Sequence, residues 1–376
     1  LQPRLLDLLL AVGAETRQPT IHRDSQKQLM SKLPNLHLLI PGLLGPMPTL
    51  DQLQPQPGFK LLERLFARSD RQTHPGDDLE SVLFGLFGIS SENGGNLPTA
   101  AYRRIGDGGT ADSRYWLQLT PVYLRPDQDR LLLFDVEDLN LTLAESKGLA
   151  KLFNDHFIDE GWQVEVPHPH RWYLSLAEEP DLKTYELTDV FGRNMDLFLP
   201  EGEEGIRWHG VLNEIQMLFY TSELNAQREQ SGKGPVNGLW LSGGGKSHSQ
   251  LQTGMSALYG DSALLRGLAS TAGTPVETLP DRLDGLCDAS GGEILVCYEL
   301  LRRPVLCADP FAWSEQLIQL QNWIEPLLDG LRQKRLNSLF LYPCNGQQYR
   351  IDRHSLRRFW KRPSPLSQRL DSNPLV

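Results

Sequence analysis

The run at 36–44, LHLLIPGLL, constrains this chain more than any other stretch. Its apolar residues are consecutive rather than alternating, and Pro41 and Gly42 interrupt them, so the run reads as a central strand that ends in a turn. A strand of that kind needs sheet neighbours and helical cover, and the sequence alternates the two kinds of element from there on. A helix is expected over residues 58–68, with Phe59, Leu62, Leu65 and Phe66 on one face. After the turn HPGDD comes a second helix, which Asp77 or Asp78 can cap and which carries Glu80 in its first turn. Residues 74–80 therefore sit at a helix N-terminus, where backbone N–H groups favour anions. SSENGGN and IGDGGTADS read as loops, RLLLFDV at 130–136 as a strand, and LTLAESKGLAKLFNDHF as a helix opened by a Thr142/Glu145 capping box. PHPHRWYLSL is expected as one strand, and WHGVLNEIQMLFYTSELNAQRE, from 208, as one helix ended by SGKGP. VNGLWLS then reads as a buried strand, 261–272 as a helix, EILVCYELL and PVLCA as strands, WSEQLIQLQNWIEPLLDGLRQ as a helix and SLFLYP as a strand. The pattern implies an α/β sheet with helices on both faces.

The 376 residues are 40% hydrophobic, enough for a buried core. With 37 Lys and Arg against 47 Asp and Glu, the net charge of -10 repels phosphate backbones and anionic lipid, so neither nucleic acid nor a membrane is an expected partner. No run of eighteen apolar residues occurs, so nothing reads as a membrane span. The opening LQPRLLDLLLAVGAE is broken by Asp7 and lacks a basic leader and a cleavage site; it reads as a short amphipathic helix, with a polar linker reaching to 35. Cys287, Cys297, Cys307 and Cys344 match no zinc or redox spacing and read as reduced thiols of a cytoplasmic protein.

Three motifs invite chemistry. GGGKS suggests a phosphate loop, but that motif needs glycine where Trp240 stands, so a tight glycine turn is expected. His168 and His170 could flank a metal, yet only Glu165 is near as a third ligand, and histidines at a strand edge are the expectation. YRIDRHSLRRFWKRP mixes cations with Phe359 and Trp360, which suits single-stranded nucleic acid or, more simply, a solvated last helix. HExxH, GxSxG and Asp-rich calcium loops do not occur.

Four stretches together resemble the cofactor-independent phosphoglycerate mutases of the archaeal type, in the alkaline phosphatase superfamily: LLIPGLLGPMPTLDQL, HPGDDLESVLFGLFGI, LNAQREQSGKGPVNGLWLSGGGK and DSALLRGLASTAG. Within that superfamily, LNEIQMLFYTSELNAQRE, PHRWYLSL and LRRFWKRPSPL are similar to the bacterial phosphoglycerate-mutase-like regulatory proteins of the pathogenicity-factor cluster, E type. The resemblance implies an alkaline-phosphatase-like sheet with helices on both faces and an inserted smaller subdomain. Its expected layout is an N-terminal helix and linker at 1–35, a core at 36–100 and 235–365, an insertion at 101–234 and a tail at 366–376.

The resemblance also implies two divalent ions, held by Asp and His, that activate a serine. Here Pro41 stands at the first Asp ligand and Asp77 at the serine, where a helix cap explains it better than a nucleophile. Trp313 takes the place of the histidine partnered with Asp309, and Cys344 and Asn345 that of an Asp-His pair; only His354 matches a ligand histidine. The expectation is a pseudoenzyme without metal or cofactor, acting as a binding or regulatory factor toward a protein partner or small anion. Its expected cleft lies near Pro41, Gly42, Asp77, Asp78, Asn237, Trp240, Gly243 and Gly244, with Arg228 and Lys233 able to recognise phosphate or carboxylate. The alternative is a metal-dependent phosphatase or phosphomutase with a rearranged site, in which Asp77, Asp78, Asp309 and His354 converge on one ion.

Overall fold

Leu36, Leu38 and Ile40 face one way along the first strand and Leu39 the other, and both sides are buried. The computed structural model describes residues 33–371 except 49, 51–52, 54–57, 91–95, 128–129, 134–135, 192 and 290. The expected N-terminal helix and most of its linker lie outside them.

The first third of the described chain supplies β1 (Asn35–Leu39), α1 (Lys60–Arg68), β2 (Asp70–Thr73), α2 (Leu79–Leu86) and α3 (Thr99–Gly106). Next come β3 (Tyr115–Val122), β4 (Leu124–Asp127), β5 (Arg130–Leu133), α4 (Leu143–His156), β6 (Val164–His168), β7 (Arg171–Leu176), α5 (Leu187–Val190), α6 (Gly205–Tyr220), α7 (Glu223–Gln230) and β8 (Gly238–Gly245). The last stretch holds β9 (Met255–Tyr259), α8 (Ala263–Ala272), β10 (Val276–Glu277), β11 (Glu293–Cys297), α9 (Arg302–Leu306), α10 (Pro310–Arg332), β12 (Ser338–Tyr342) and β13 (Gln347–Asp352).

Seven strands form the central sheet in the order β10-β9-β11-β1-β12-β13-β2. The first five run parallel, and β13 lies antiparallel to both its neighbours. On one face, α1 and α10 bring Leu62, Phe66, Trp313, Leu317, Leu320 and Ile324 against Leu36 and Leu38. On the other, α2, α3 and α8 bring Leu83, Phe84, Tyr102, Leu265 and Leu268 against Leu39 and Leu295. This is the α/β architecture expected from the sequence, with helices on both faces. A second, antiparallel sheet, β6-β7-β3-β8, packs Leu117, Trp172 and Leu174 against Phe153 of α4 and Trp208 and Phe219 of α6. Trp162 stacks on Trp208 at 5.1 Å, so the tryptophans of this region pack a core.

Several local expectations are corrected. The first strand stops at Leu39, because Pro41 has no N–H to give a ladder. PVLCA is no strand: Pro304 lies in the first turn of α9, where a missing N–H costs nothing, and so short an apolar run has no period to decide it. PHPHRWYLSL folds back on itself at residues 169–170 as β6 and β7. The helix from 208 breaks at Thr221, and Ser222 caps a new one by accepting from the Asn225 N–H. GGGKS is not a turn; its glycines finish β8, where a Cβ on Gly243 would lie 1.9 Å from Thr99 Oγ1 and one on Gly245 2.5 Å from Pro98 Cβ. They let the start of α3 lie directly on the strand. β8 itself pairs with β3 in the smaller sheet, although the expected core resumes at 235. The basic C-terminal segment is β13 followed by short turns rather than a helix.

Candidate functional site

Leu39 of β1 is in register with Cys297 of β11 and Tyr342 of β12, so three parallel strands end together. The loops beyond them open a cleft of ≈ 550 Å³ at the carboxyl edge of the sheet. Pro41 and Gly42 form one wall, Asp77 and Asp78 approach from the start of α2, and Cys344, Asn345 and Asp371 close the far side. Thr188, Asp189 and Arg193 come from the segment around α5, and Arg302 from the start of α9.

Each of these groups has a local cause. Gly42 is left-handed at φ +84°, and its carbonyl accepts from Trp313 Nε1 at 2.8 Å. That tryptophan is fully buried, so it anchors the loop where the resemblance had implied a metal histidine. Asp78, not Asp77, caps α2: its carboxylate accepts from the Ser81 N–H at 2.6 Å, and Ser81 Oγ accepts from the Asp78 N–H. Asn345 Nδ2 donates to both Asp371 oxygens, at 3.0 and 3.1 Å. Desolvation by the surrounding protein pushes the carboxyls of Asp78 and Asp371 up, with the charge of Glu80 adding to the effect at Asp78. Asp189 stands at the cleft rim; desolvation by the surrounding protein, together with the charges of Glu186, Glu80 and Asp78, pushes its carboxyl up to about 6.

Behind the cleft lies an ionic knot that sequence reasoning missed. Glu80, only 3% exposed, accepts from Arg103 at 2.8 Å and from Arg302 at 2.8 and 3.0 Å, and Arg103 continues to Glu186 at 2.8 Å. Burial opposes the charge on Glu80, yet Arg302 and Arg103 hold its carboxyl below the ordinary range. Glu80 was visible as a first-turn helix residue, but its partners lie 23 and 222 residues away, beyond any local pattern.

Of the residues expected at the site, Pro41, Gly42, Asp77 and Asp78 do meet there. Arg228, Lys233, Asn237, Trp240 and Gly243 do not line this cleft, and most of them carry structural bonds. Arg228, 2% exposed, donates to Glu145 Oε1 at 2.8 Å and to the carbonyls of Leu139 and Gly234, and Lys233 joins the same carboxylate at 3.3 Å. Asn237 bridges both backbone groups of Leu124, and buried Trp240 donates to the Tyr185 carbonyl. Gly244 lines a different cavity, of ≈ 950 Å³, with Tyr115, Glu179, Lys246 and His248. Arg228→Ala is accordingly expected to cost about 3–5 kcal/mol in a urea melt, the loss that follows when one member of a buried pair is removed. A variant as stable as the parent would return Arg228 to the list of ligand-binding candidates.

The donor set does not fit two dications. Asp309 caps α10 through the Phe311 and Ala312 N–H groups, and His354 is exposed at a turn after β13; neither lines the cleft with Asp77 and Asp78. Among the described residues, no three His, Cys, Asp or Glu side chains gather as a metal-holding group. His168 and His170 sit at the β6–β7 turn with rings 5.9 Å apart, and Glu165 is already paired with Arg104 at 2.6 and 3.0 Å. Also among the described residues, no helix is long and apolar enough to cross a membrane, and none of the four cysteines is joined in a disulfide.

The fold is that of a known structure. The PH0037 protein from Pyrococcus horikoshii superposes with a TM-score of 0.50 at 13% identity, over 85% of this chain and 86% of that one. In sequence, the 2,3-bisphosphoglycerate-independent phosphoglycerate mutase of Methanosarcina acetivorans is 29% identical over 119 residues, which is 30% of this chain and 30% of that protein's length. A cofactor-independent phosphoglycerate mutase from Thermoplasma acidophilum gives a TM-score of 0.40 at 16% identity, over 85% of this chain and 90% of that one. No family model matches the chain. The chain thus shares the α/β fold of the PH0037 protein, and a stretch of 119 residues is similar in sequence to a phosphoglycerate mutase of which it spans less than a third.

Proposed function

We propose that this chain is a phosphoglycerate mutase-like protein turned to binding: a cytoplasmic regulatory factor, of the kind the pathogenicity-factor resemblance implies, that does not transfer phosphoryl groups. One observation carries the reading. Most positions that the mutase pattern reserves for metal ligands or nucleophile are filled by groups that build the fold or cannot bind a metal. Pro41 has no side-chain oxygen, Trp313 donates to the Gly42 carbonyl, Asn345 donates to Asp371, and Asp309 is spent on the α10 cap. Asp77 stands in the nucleophile's place with Asp78 beside it, and without cations their charge repels a phosphate ester.

The charge of the cleft favours a protein partner over a small anion. Asp77, Asp78, Asp189 and Asp371 face it with Arg193 and Arg302, and Arg302 is already matched by Glu80. A basic side chain of a partner fits that balance better than a phosphate does. The reading is tested by incubating the purified chain with manganese and either 3-phosphoglycerate or p-nitrophenyl phosphate. The expected turnover equals that of Asp77→Ala; turnover that Asp77→Ala abolishes would make the chain a metal-dependent phosphatase or mutase with a rearranged site.

A further inference from the structure

Phe359 and Trp360 are 80% and 66% exposed, side by side, with ring centroids 5.3 Å apart. Two adjacent large apolar rings left open to water mark a contact surface more often than a lone exposed leucine does. The turn that carries them is pinned. Arg358 donates to both Asp70 oxygens, at 2.5 and 3.0 Å, and to the Arg68 carbonyl, while Arg68 donates back to the Leu356 carbonyl. Ser355 bonds Asp352 on one side, and on the other Leu366 is buried and donates its N–H to Glu63. The segment is thus held on both sides of the rings, which lie on its outer surface.

Exposed cations flank the rings. Arg357, Lys361 and Arg362 are open to solvent and Arg353 partly so. Among the described residues, Arg353, Arg357 and Arg362 enter no ion pair, whereas Arg358 is matched by Asp70 and Arg350 lies 3.9 Å from Asp352. Lys361 also feels Asp70.

We propose that this turn docks the protein reversibly on an anionic lipid surface, the rings entering the headgroup layer and the flanking cations meeting phosphates. The net charge of -10 opposes approach, but at physiological salt it is screened beyond about 8 Å, so at contact the local cations dominate. The expectation of no membrane partner came from the whole-chain charge, which does not see this patch. Single-stranded nucleic acid shares the basic-aromatic chemistry but asks for open ring faces along a groove. Here the rings meet at 80°, the edge of one against the face of the other, and the turn lines neither cavity described above.

The test is co-flotation of the full chain with vesicles of phosphatidylglycerol and phosphatidylcholine, against phosphatidylcholine alone, in low and high salt. Binding is expected to the anionic vesicles at low salt, with partitioning about tenfold weaker for the Phe359→Ser/Trp360→Ser double variant and likewise for Arg357→Glu/Arg362→Glu. All four side chains are exposed, so both variants keep the parent melting temperature; should the aromatic pair prove unstable, the charge reversal decides alone. Equal binding to neutral vesicles, no binding to either, or binding of a fluorescent oligothymidylate that the same variants abolish in a chain that ignores vesicles would each overturn the proposal.

Discussion

Glu80→Ala is expected to destabilise the protein by about 3–5 kcal/mol, lowering its melting temperature by roughly ten degrees. Glu80 is 3% exposed and holds Arg103 and Arg302 together, so its removal leaves two guanidiniums with less negative charge than they need, where water cannot replace it. Glu186 and Glu299 stay in place, 2.8 Å from Arg103 and 3.8 Å from Arg302, which sets an upper limit on the loss. The contrast is Glu160→Ala. Its pair with Arg207 at 3.2 Å is more than half exposed on both sides, and its loss is expected to fall within about 0.5 kcal/mol.

The acid dependence of the Glu80 knot has a definite sign. A carboxyl held below its unfolded value of 4.5 adds stability above that pH and loses it as the pH falls toward the lower folded value. The gap between parent and Glu80→Gln in urea midpoint is therefore widest at neutral pH and narrows below the ordinary carboxylate range. A gap that is constant from pH 7 to pH 3 would mean that the charge on Glu80 contributes nothing and that only its shape matters. Because Arg302 also lines the cleft, a loosened knot would move one wall of the candidate site.

What could be read from the sequence was local. Capping chemistry repeats over a few residues, so the Thr142/Glu145 box and the Asp78 cap were both legible, the latter short only of a choice between Asp77 and Asp78. Continuous apolar runs gave β1, β11 and β12, and helical periods gave α1 and α10. Where the sequence misled, a partner distant along the chain made the decision. Arg228 carries a phosphate-binding side chain, yet Glu145, 83 residues earlier, claims it. The glycines of β8 look like a turn until α3 is seen lying on them. Trp313 reads as a lost ligand, and only the fold shows that it tethers Gly42. The site was thus half legible: its loops could be named from strand ends, but the buried charges behind it could not.

The same distant packing reverses the sign of an ordinary substitution. Glycine inside an exposed helix is about 1 kcal/mol worse than alanine, so Gly210→Ala in α6 is expected to stabilise by about that much, since nothing lies within 4 Å of its added Cβ. Gly267 in α8 is also mid-helix, but there a Cβ would lie 1.8 Å from the Tyr102 carbonyl oxygen of α3. The approach is reciprocal, because a Cβ on Gly106 would lie 1.8 Å from the Ala263 carbonyl oxygen. Backbone faces backbone at both points, so no rotamer relieves the clash, and α3 and α8 would have to separate. Gly267→Ala is therefore expected to lose about 1–3 kcal/mol net in a urea melt, despite its better helix propensity. Since α3 carries Arg103 to Glu80, the shift should also weaken the knot, and combining Gly267→Ala with Glu80→Ala should cost less than the sum of the two. Strict additivity would separate the helix contact from the ionic knot, and a stabilised Gly267→Ala would show that the two backbones are not in contact at all.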